Sequence, residues 1–286
     1  MAPIDYIENI ETIYVGRSEV GVDSPVSHTD GPETSHPRIE AALGVVDREI
    51  ECIEAERTAF RRFRSRVRSI ELPSPTVGGV DARGGGAALM LETATKPDAG
   101  LRAVRSAYRE TVMDVPHFEA EYDDTLEANV AAEFGADLAA QIADGTRLTP
   151  RVYEAVLAAS ERARDERETM LPVLERERES LTTVRERLDD CERRATVLGQ
   201  NARRTADSSR LSAIDEGLAD VEAECEAVAA RRQRRLHDRS VAGLSGIDES
   251  SLTQYLYAEE AVTCPALADV VACLETVRRQ RRYCLK

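Results

Sequence analysis

Few residues in this sequence stand where chemistry would need them. His117, Glu119, Glu121, Asp123 and Asp124 set one imidazole among four carboxylates, a donor set for a cation. A metal site needs its donors to converge, and an extended segment spreads its side chains along its length. The stretch therefore reads as a solvated acidic loop. His28, His36, His117 and His237 are scattered and place no base beside a serine or cysteine nucleophile. Cys52, Cys191, Cys225, Cys264, Cys273 and Cys284 show neither C-x-x-C spacing nor a paired framework, which fits a reduced compartment. Cys264, Cys273 and Cys284 read as packing residues rather than ligands. The glycine-rich run from Leu72 to Gly86 lacks Gly-Lys-Ser/Thr, so it reads as a flexible linker and not as a phosphate-binding loop. The expectation is a chain without catalytic residues, cofactor or metal, and hence not an enzyme.

Arginines offer the other chemistry. They cluster at Arg61–Arg68, Arg231–Arg239 and Arg278–Arg282. Arg231, Arg232, Arg234 and Arg235 could contact phosphates of a nucleic acid. Each cluster also falls in the last turns of an expected helix, where cations favour the dipole and the free carbonyls. The surrounding charge of −15 opposes a polyanion, which favours the helix-end reading.

That charge comes from 53 acidic against 38 basic residues, and lysine occurs only at Lys96 and Lys286. Acid excess with arginine in place of lysine is the composition of a halophilic proteome. A dense acidic surface stays soluble where salt at 1 M screens charge within ~3 Å. The alternative is an ordinary acidic protein from a GC-rich genome, since such coding also favours arginine over lysine; composition favours the halophilic reading. At 42% hydrophobic residues the chain can bury a real core. With no tryptophan and 4% aromatics, that core is expected to be aliphatic and helical rather than sheet-like. Met1–Ile10 lacks the basic and apolar regions of a signal peptide, and no run of about 18 apolar residues could span a membrane. The expected location is the cytoplasm.

The element that must organise the rest is Thr149–His237, read as two long helical arms folded into a hairpin. Thr149 can cap the first arm and Pro150 suits its first position. Leu174, Leu181, Leu188 and Ala195 form one seven-residue row; Met170, Glu177, Val184, Cys191 and Leu198 form the other, interrupted by the charge of Glu177. Rows alternating by three and four define a coiled-coil seam. The expected packing seam is Leu174, Leu181, Val184 and Leu188 against Leu211, Ile214, Leu218 and Val221. Pro172 predicts a kink. Asp189–Arg193 and Asp190–Arg194 read as solvated i, i+4 pairs. A turn centred near residue 206 sets Cys191 opposite about residue 221, so a bridge to Cys225 is not expected.

The remaining chain reads as an N-terminal arm and linker over 1–36 and a helical domain over 37–286. Within the domain, a helix over 37–71 buries the row Ile39, Val46, Ile53, Phe60 and Val67, and its C-terminal half is partly exposed. A linker over 72–96 precedes short helices over 97–145. There Leu101, Val104, Tyr108 and Val112 share one face, and a single helix from Asp124 or Thr125 runs to Gly145. After the hairpin over 149–237, Gly243 and Gly246 mark a break. Two C-terminal helices follow over 249–284, the last opened by Pro265 with Leu267, Val270, Val271 and Leu274 inward.

Three blocks, RIEAALGVVDREIECIEAERTAFRRFRSRVRSI from Arg38, YRETVMDVPHFEAEYDDTLEANVAAEFGADL from Tyr108 and YLYAEEAVTCPALADVVACL from Tyr255, resemble an uncharacterised family of haloarchaeal helical proteins. The resemblance implies a helical fold and a salt-rich source and carries over no site residues. The reading is an all-α, elongated hairpin or bundle with coiled-coil segments. It would act as a scaffolding or interaction protein through a protein partner or self-association. The alternative is a DNA-associated or regulatory protein using its arginine-rich helix ends.

Overall fold

The computed structural model describes residues 36–71, 99–122, 124–237 and 249–285. The expectations for the N-terminal arm, the glycine-rich linker, Arg239 and the break at Gly243 and Gly246 lie outside them. Among the described residues every regular element is a helix: α1 Pro37–Arg68, α2 Ala99–Arg109, α3 Phe118–Glu121, α4 Leu126–Phe134, α5 Ala136–Ala143, α6 Pro150–Ala202, α7 Ser208–His237, α8 Glu249–Leu256 and α9 Pro265–Cys284. The fold is all-α. No described helix is long and apolar enough to cross a membrane.

The described residues divide into two compact units. One holds His36, α1 up to Glu51, α6 from Leu171, α7, α8 and α9; the other holds α1 from Cys52, α2 to α5, and α6 up to Met170.

In the first unit, Leu174, Leu181, Val184 and Leu188 of α6 are buried, as are Leu218 and Val221 of α7. Leu211 and Ile214, nearer the turn, are only half-buried. The helix carries through Pro172 without a break, and the Arg176 side chain donates to the Pro172 carbonyl. The arms are antiparallel, with Arg194 paired to Glu224 and Leu198 against Gly217. Cys191 therefore comes level with Cys225 rather than with residue 221. A helical side chain leans toward its own N-terminus, so in antiparallel arms each meeting residue lies about one position C-terminal to the spot it covers, which accounts for about half of the offset. Counting from the turn alone omits that shift.

Helix α9 packs along α7 through Ala266, Val270, Cys273 and Val277. Val271, expected inward, is 53% exposed, because the buried stripe runs through 266, 270, 273 and 277. Asp190, not Asp189, pairs with both Arg193 (2.8 Å) and Arg194 (3.8 Å). Asp189 lies 3.4 Å from the imidazole of buried His36.

The second unit overturns the expectation of an aliphatic core. Phe63 and Phe134 each meet the Tyr108 ring edge-on, at 5.2 and 5.6 Å, and Phe60 lies 6.2 Å from Phe134. Three of the four phenylalanines thus occupy one cluster, joined by Leu101, Val104, Ile142 and Val156. A low aromatic content limits the number of rings but not their concentration, and edge-to-face contacts favour grouping them. The C-terminal half of α1 is partly exposed, as expected, with Arg61, Arg62, Arg66 and Arg68 outward, and Phe60, Phe63 and Val67 anchor its inner face. Thr125 caps α4 by accepting from the Ala128 N–H at 3.2 Å. The single helix expected over 125–145 is two, because Gly135 takes φ +89°, a conformation that glycine alone adopts freely. Gly145 ends α5 for a steric reason: a Cβ there would lie 2.1 Å from the Gln141 carbonyl oxygen.

Candidate functional site

In the second unit α1, α3, α4 and α6 bring together a buried polar network. Phe60 sits one turn beyond Glu56 on α1, and the guanidinium of Arg167 lies over its ring at 4.9 Å. That placement sends Arg167 Nε to Glu56 Oε2 at 2.9 Å, and Nη1 and Nη2 to the two oxygens of Glu133 at 2.9 and 2.6 Å. The other oxygen of Glu56 meets His117 Nε2 at 3.0 Å and accepts from the Tyr122 hydroxyl at 2.8 Å. Glu56 and Arg167 are 5% and 4% exposed, so each charge depends on the partners that the fold brings to it.

Burial alone would raise the Glu56 carboxyl. The Arg167 charge and the donors His117 and Tyr122 outweigh it and hold the group at about 2. Burial would lower His117, but hydrogen bonds to Cys52 and Glu56 push it up to about 10. Glu133 is raised by its burial despite Arg167, which one guanidinium shared between two carboxylates explains. Tyr122 is pushed well up, by burial and by the charge of Glu56.

At the edge of this network stand Cys52, His117 and Glu121. Cys52 lies one turn before Glu56 on α1. The segment after Pro116, expected to be extended, forms the single turn α3, in which the Glu121 N–H donates to the His117 carbonyl at 3.0 Å. The i, i+4 spacing puts His117 and Glu121 on one face. The Cys52 thiol lies 3.7 Å from Glu121 Oε1, and one donor atom from each of the three lies within 4.8 Å of the others. Glu119 is exposed and Asp124 half-buried, and neither belongs to this group; Asp123 is outside the described residues. Sequence reasoning missed Cys52 because its partners lie more than 60 residues away.

The first unit has its own buried pair. Arg232 on α7 forks onto Glu177 on α6 at 2.8 and 2.6 Å and also donates to Ser180 Oγ at 2.9 Å; the Tyr257 hydroxyl donates to Glu177 at 2.8 Å. The interruption in the apolar row is therefore one half of a cross-hairpin clamp. Its other half is one of the four arginines considered for phosphate contact. Arg232 is 3% exposed and points inward. Arg235 is half-buried and donates to the Arg176 carbonyl at 2.8 Å, while Arg231 and Arg234 are exposed. Arg278 and Arg281, at the end of α9, bind Glu222, Glu226 and Asp215 of α7. These end clusters thus make ion pairs between helices.

Cys191, Cys225 and Cys273 meet inside the first unit as free thiols, with Cys225 Sγ 3.7 Å from Cys273 Sγ. The hydrogen bond from Cys191 lowers the Cys225 thiol, but the bond with Cys273 and burial outweigh it and push it up to about 12. Such thiols are protonated packing groups rather than nucleophiles.

No curated protein and no solved structure matches this chain. Residues 37–281 match the family described as Domain of unknown function (DUF7260), which takes in every helix described above bar the last residues of α9. The chain belongs to that family.

Proposed function

We propose that this is a non-enzymatic helical protein that acts through its helical surfaces as a scaffolding or interaction component, in the cytoplasm of a salt-adapted, haloarchaeal cell. The observation that carries this reading is the use made of the buried charges. Glu177 and Arg232 clamp α6 to α7 with both side chains inside the seam. The apolar rows that flank the clamp pack as a coiled coil in this reading, and the hairpin presents its outer faces to a protein partner or to a second copy. The acid excess suits such a surface to high salt.

The test uses the full-length chain in multimolar KCl, by light scattering after size exclusion and by capture from a native lysate of the source organism. Expected is self-association, or one stoichiometric partner, that is lost when the exposed Val271 and Tyr283 are both changed to Glu. A chain that stays monomeric and captures nothing overturns the proposal.

The DNA-associated alternative now rests on the exposed Arg231 and Arg234. It calls for a DNA shift that weakens steeply with salt and is lost in Arg231→Gln/Arg234→Gln. No shift at reduced salt removes it.

A further inference from the structure

The geometry points to a zinc-type divalent-cation site formed by Cys52, His117 and Glu121. We infer it from three observations. The first is convergence: α1 supplies the thiol, the turn of α3 supplies imidazole and carboxylate, and the donor atoms lie within 4.8 Å of one another. The 3.7 Å between Cys52 Sγ and Glu121 Oε1 is close to the ligand–ligand edge of a tetrahedron, about 3.6 Å for Zn–S ~2.3 Å and Zn–O ~2.1 Å. The second is the support behind the imidazole. Glu56, buried and fixed by Arg167 and Tyr122, holds His117 Nε2 at 3.0 Å. This is the carboxylate–histidine arrangement that orients a metal-binding ring, and it leaves Nδ1 as the nitrogen for the cation. The third is the donor set. One thiolate, one imidazole and one carboxylate suit a borderline cation such as Zn²⁺ better than Mg²⁺ or Ca²⁺, which take oxygen ligands.

Cys52, His117 and Glu121 are each half-buried, so a cation can reach them while bulk water is partly excluded. Two ligand anions balance the charge of the ion, and water completes the coordination, as in other three-ligand zinc sites. Thiolate, neutral imidazole and carboxylate are the metal-binding forms of the three groups, so affinity rises with pH. The bound ion ties α3 to α1.

The full-length protein is stripped with chelator, desalted and titrated with Co²⁺, a spectroscopic stand-in for zinc. Expected is a thiolate-to-cobalt charge-transfer band that saturates at one ion per chain and is displaced by one equivalent of Zn²⁺. Cys52→Ser abolishes the band while the metal-free variant keeps wild-type helicity. Glu121→Gln weakens cobalt binding by roughly tenfold or more. Cys225→Ser, which alters the buried thiol group, leaves the band intact. A wild-type protein without the band overturns the proposal, as does a band that survives Cys52→Ser. Should Cys52→Ser fail to fold, the other two variants decide: a band unmoved by Glu121→Gln, or lost in Cys225→Ser, also overturns it.

Discussion

Asp269, near the start of α9, accepts a hydrogen bond from the backbone N–H of Ile39, in the first turn of α1, at 2.9 Å. Its other oxygen accepts from Arg38 Nη1 at 3.0 Å, and the carboxylate is 2% exposed. A side chain 230 residues away thus does what a local cap normally does. It satisfies one of the free N–H groups at a helix start and sets a negative charge against the positive end of the helix dipole. Asp269→Ala is expected to cost about 1–2 kcal/mol, the loss of a good N-cap, and Asp269→Asn less. Urea unfolding of the two variants against wild type checks the order; equal stability of all three would show that the contact carries no weight.

Breaking the cross-hairpin clamp should cost more. Arg232→Met leaves Glu177 buried and unpaired, at a cost of about 3–5 kcal/mol. The double variant Glu177→Leu/Arg232→Met removes both charges and should recover most of that loss. Thermal melts of the two single variants and the double variant give the coupling; additive losses would show that the pair does not act as a unit.

The apolar seam has a graded prediction. Leu181 and Leu218 are both fully buried, so Leu181→Asp and Leu218→Asp should each destabilise by several kcal/mol, about the size expected for an unpaired charge in a core. Leu211→Asp, at a half-buried position near the turn, should cost clearly less. Melting temperatures that fall equally in all three variants would contradict the observed burial.

Stability should depend on pH in two windows. Glu56 titrates at about 2 in the fold against an ordinary 4.5, so its contribution is full above pH 4.5 and is lost as pH falls through about 2. Glu133 is raised, so its contribution changes only above 4.5 and leaves the acid limb alone. His117 titrates at about 10 against an ordinary 6.5, so its contribution is full below pH 6.5 and fades as pH rises through about 10. The buried thiols begin to matter only near their ordinary 9.0. Denaturant midpoints of chelator-stripped protein should therefore decline between pH 6.5 and 9, and His117→Gln should flatten that decline. An unchanged slope in the variant would assign it to another group.

Salt should strengthen the fold. With a net charge of −15, acids on the helix surfaces repel one another. The Debye length falls from ~10 Å at 0.1 M to ~3 Å or less at 1 M and above, and salts excluded from the protein surface also favour apolar burial. Helicity and melting temperature are expected to rise from about 0.1 M to about 2 M KCl by circular dichroism. A flat melting temperature would leave the acid excess without a stabilising role.

What the sequence by itself determined is local. Periods of three and four residues located the long helices and the inner face of α1, where Ile39, Val46, Ile53, Phe60 and Val67 are all buried. Pro150, Pro265 and Thr125 marked helix starts and Gly145 an end, because their effects on the backbone act within a few residues. The burial of Leu174, Leu181, Val184, Leu188, Leu218 and Val221 was legible for the same reason, whereas Leu211 and Ile214 are only half-buried. What only the tertiary structure decided is which polar residues go inside. Glu177 and Arg232 are separated by 55 residues, Glu56 and Arg167 by 111, and Ile39 and Asp269 by 230. A charged residue in an apolar row looks the same in sequence whether it faces water or a buried partner, because desolvation and pairing are settled by what packs against it. Cys52, His117 and Glu121 were individually visible, but they became a donor set only when the turn of α3 brought imidazole and carboxylate to the thiol on α1.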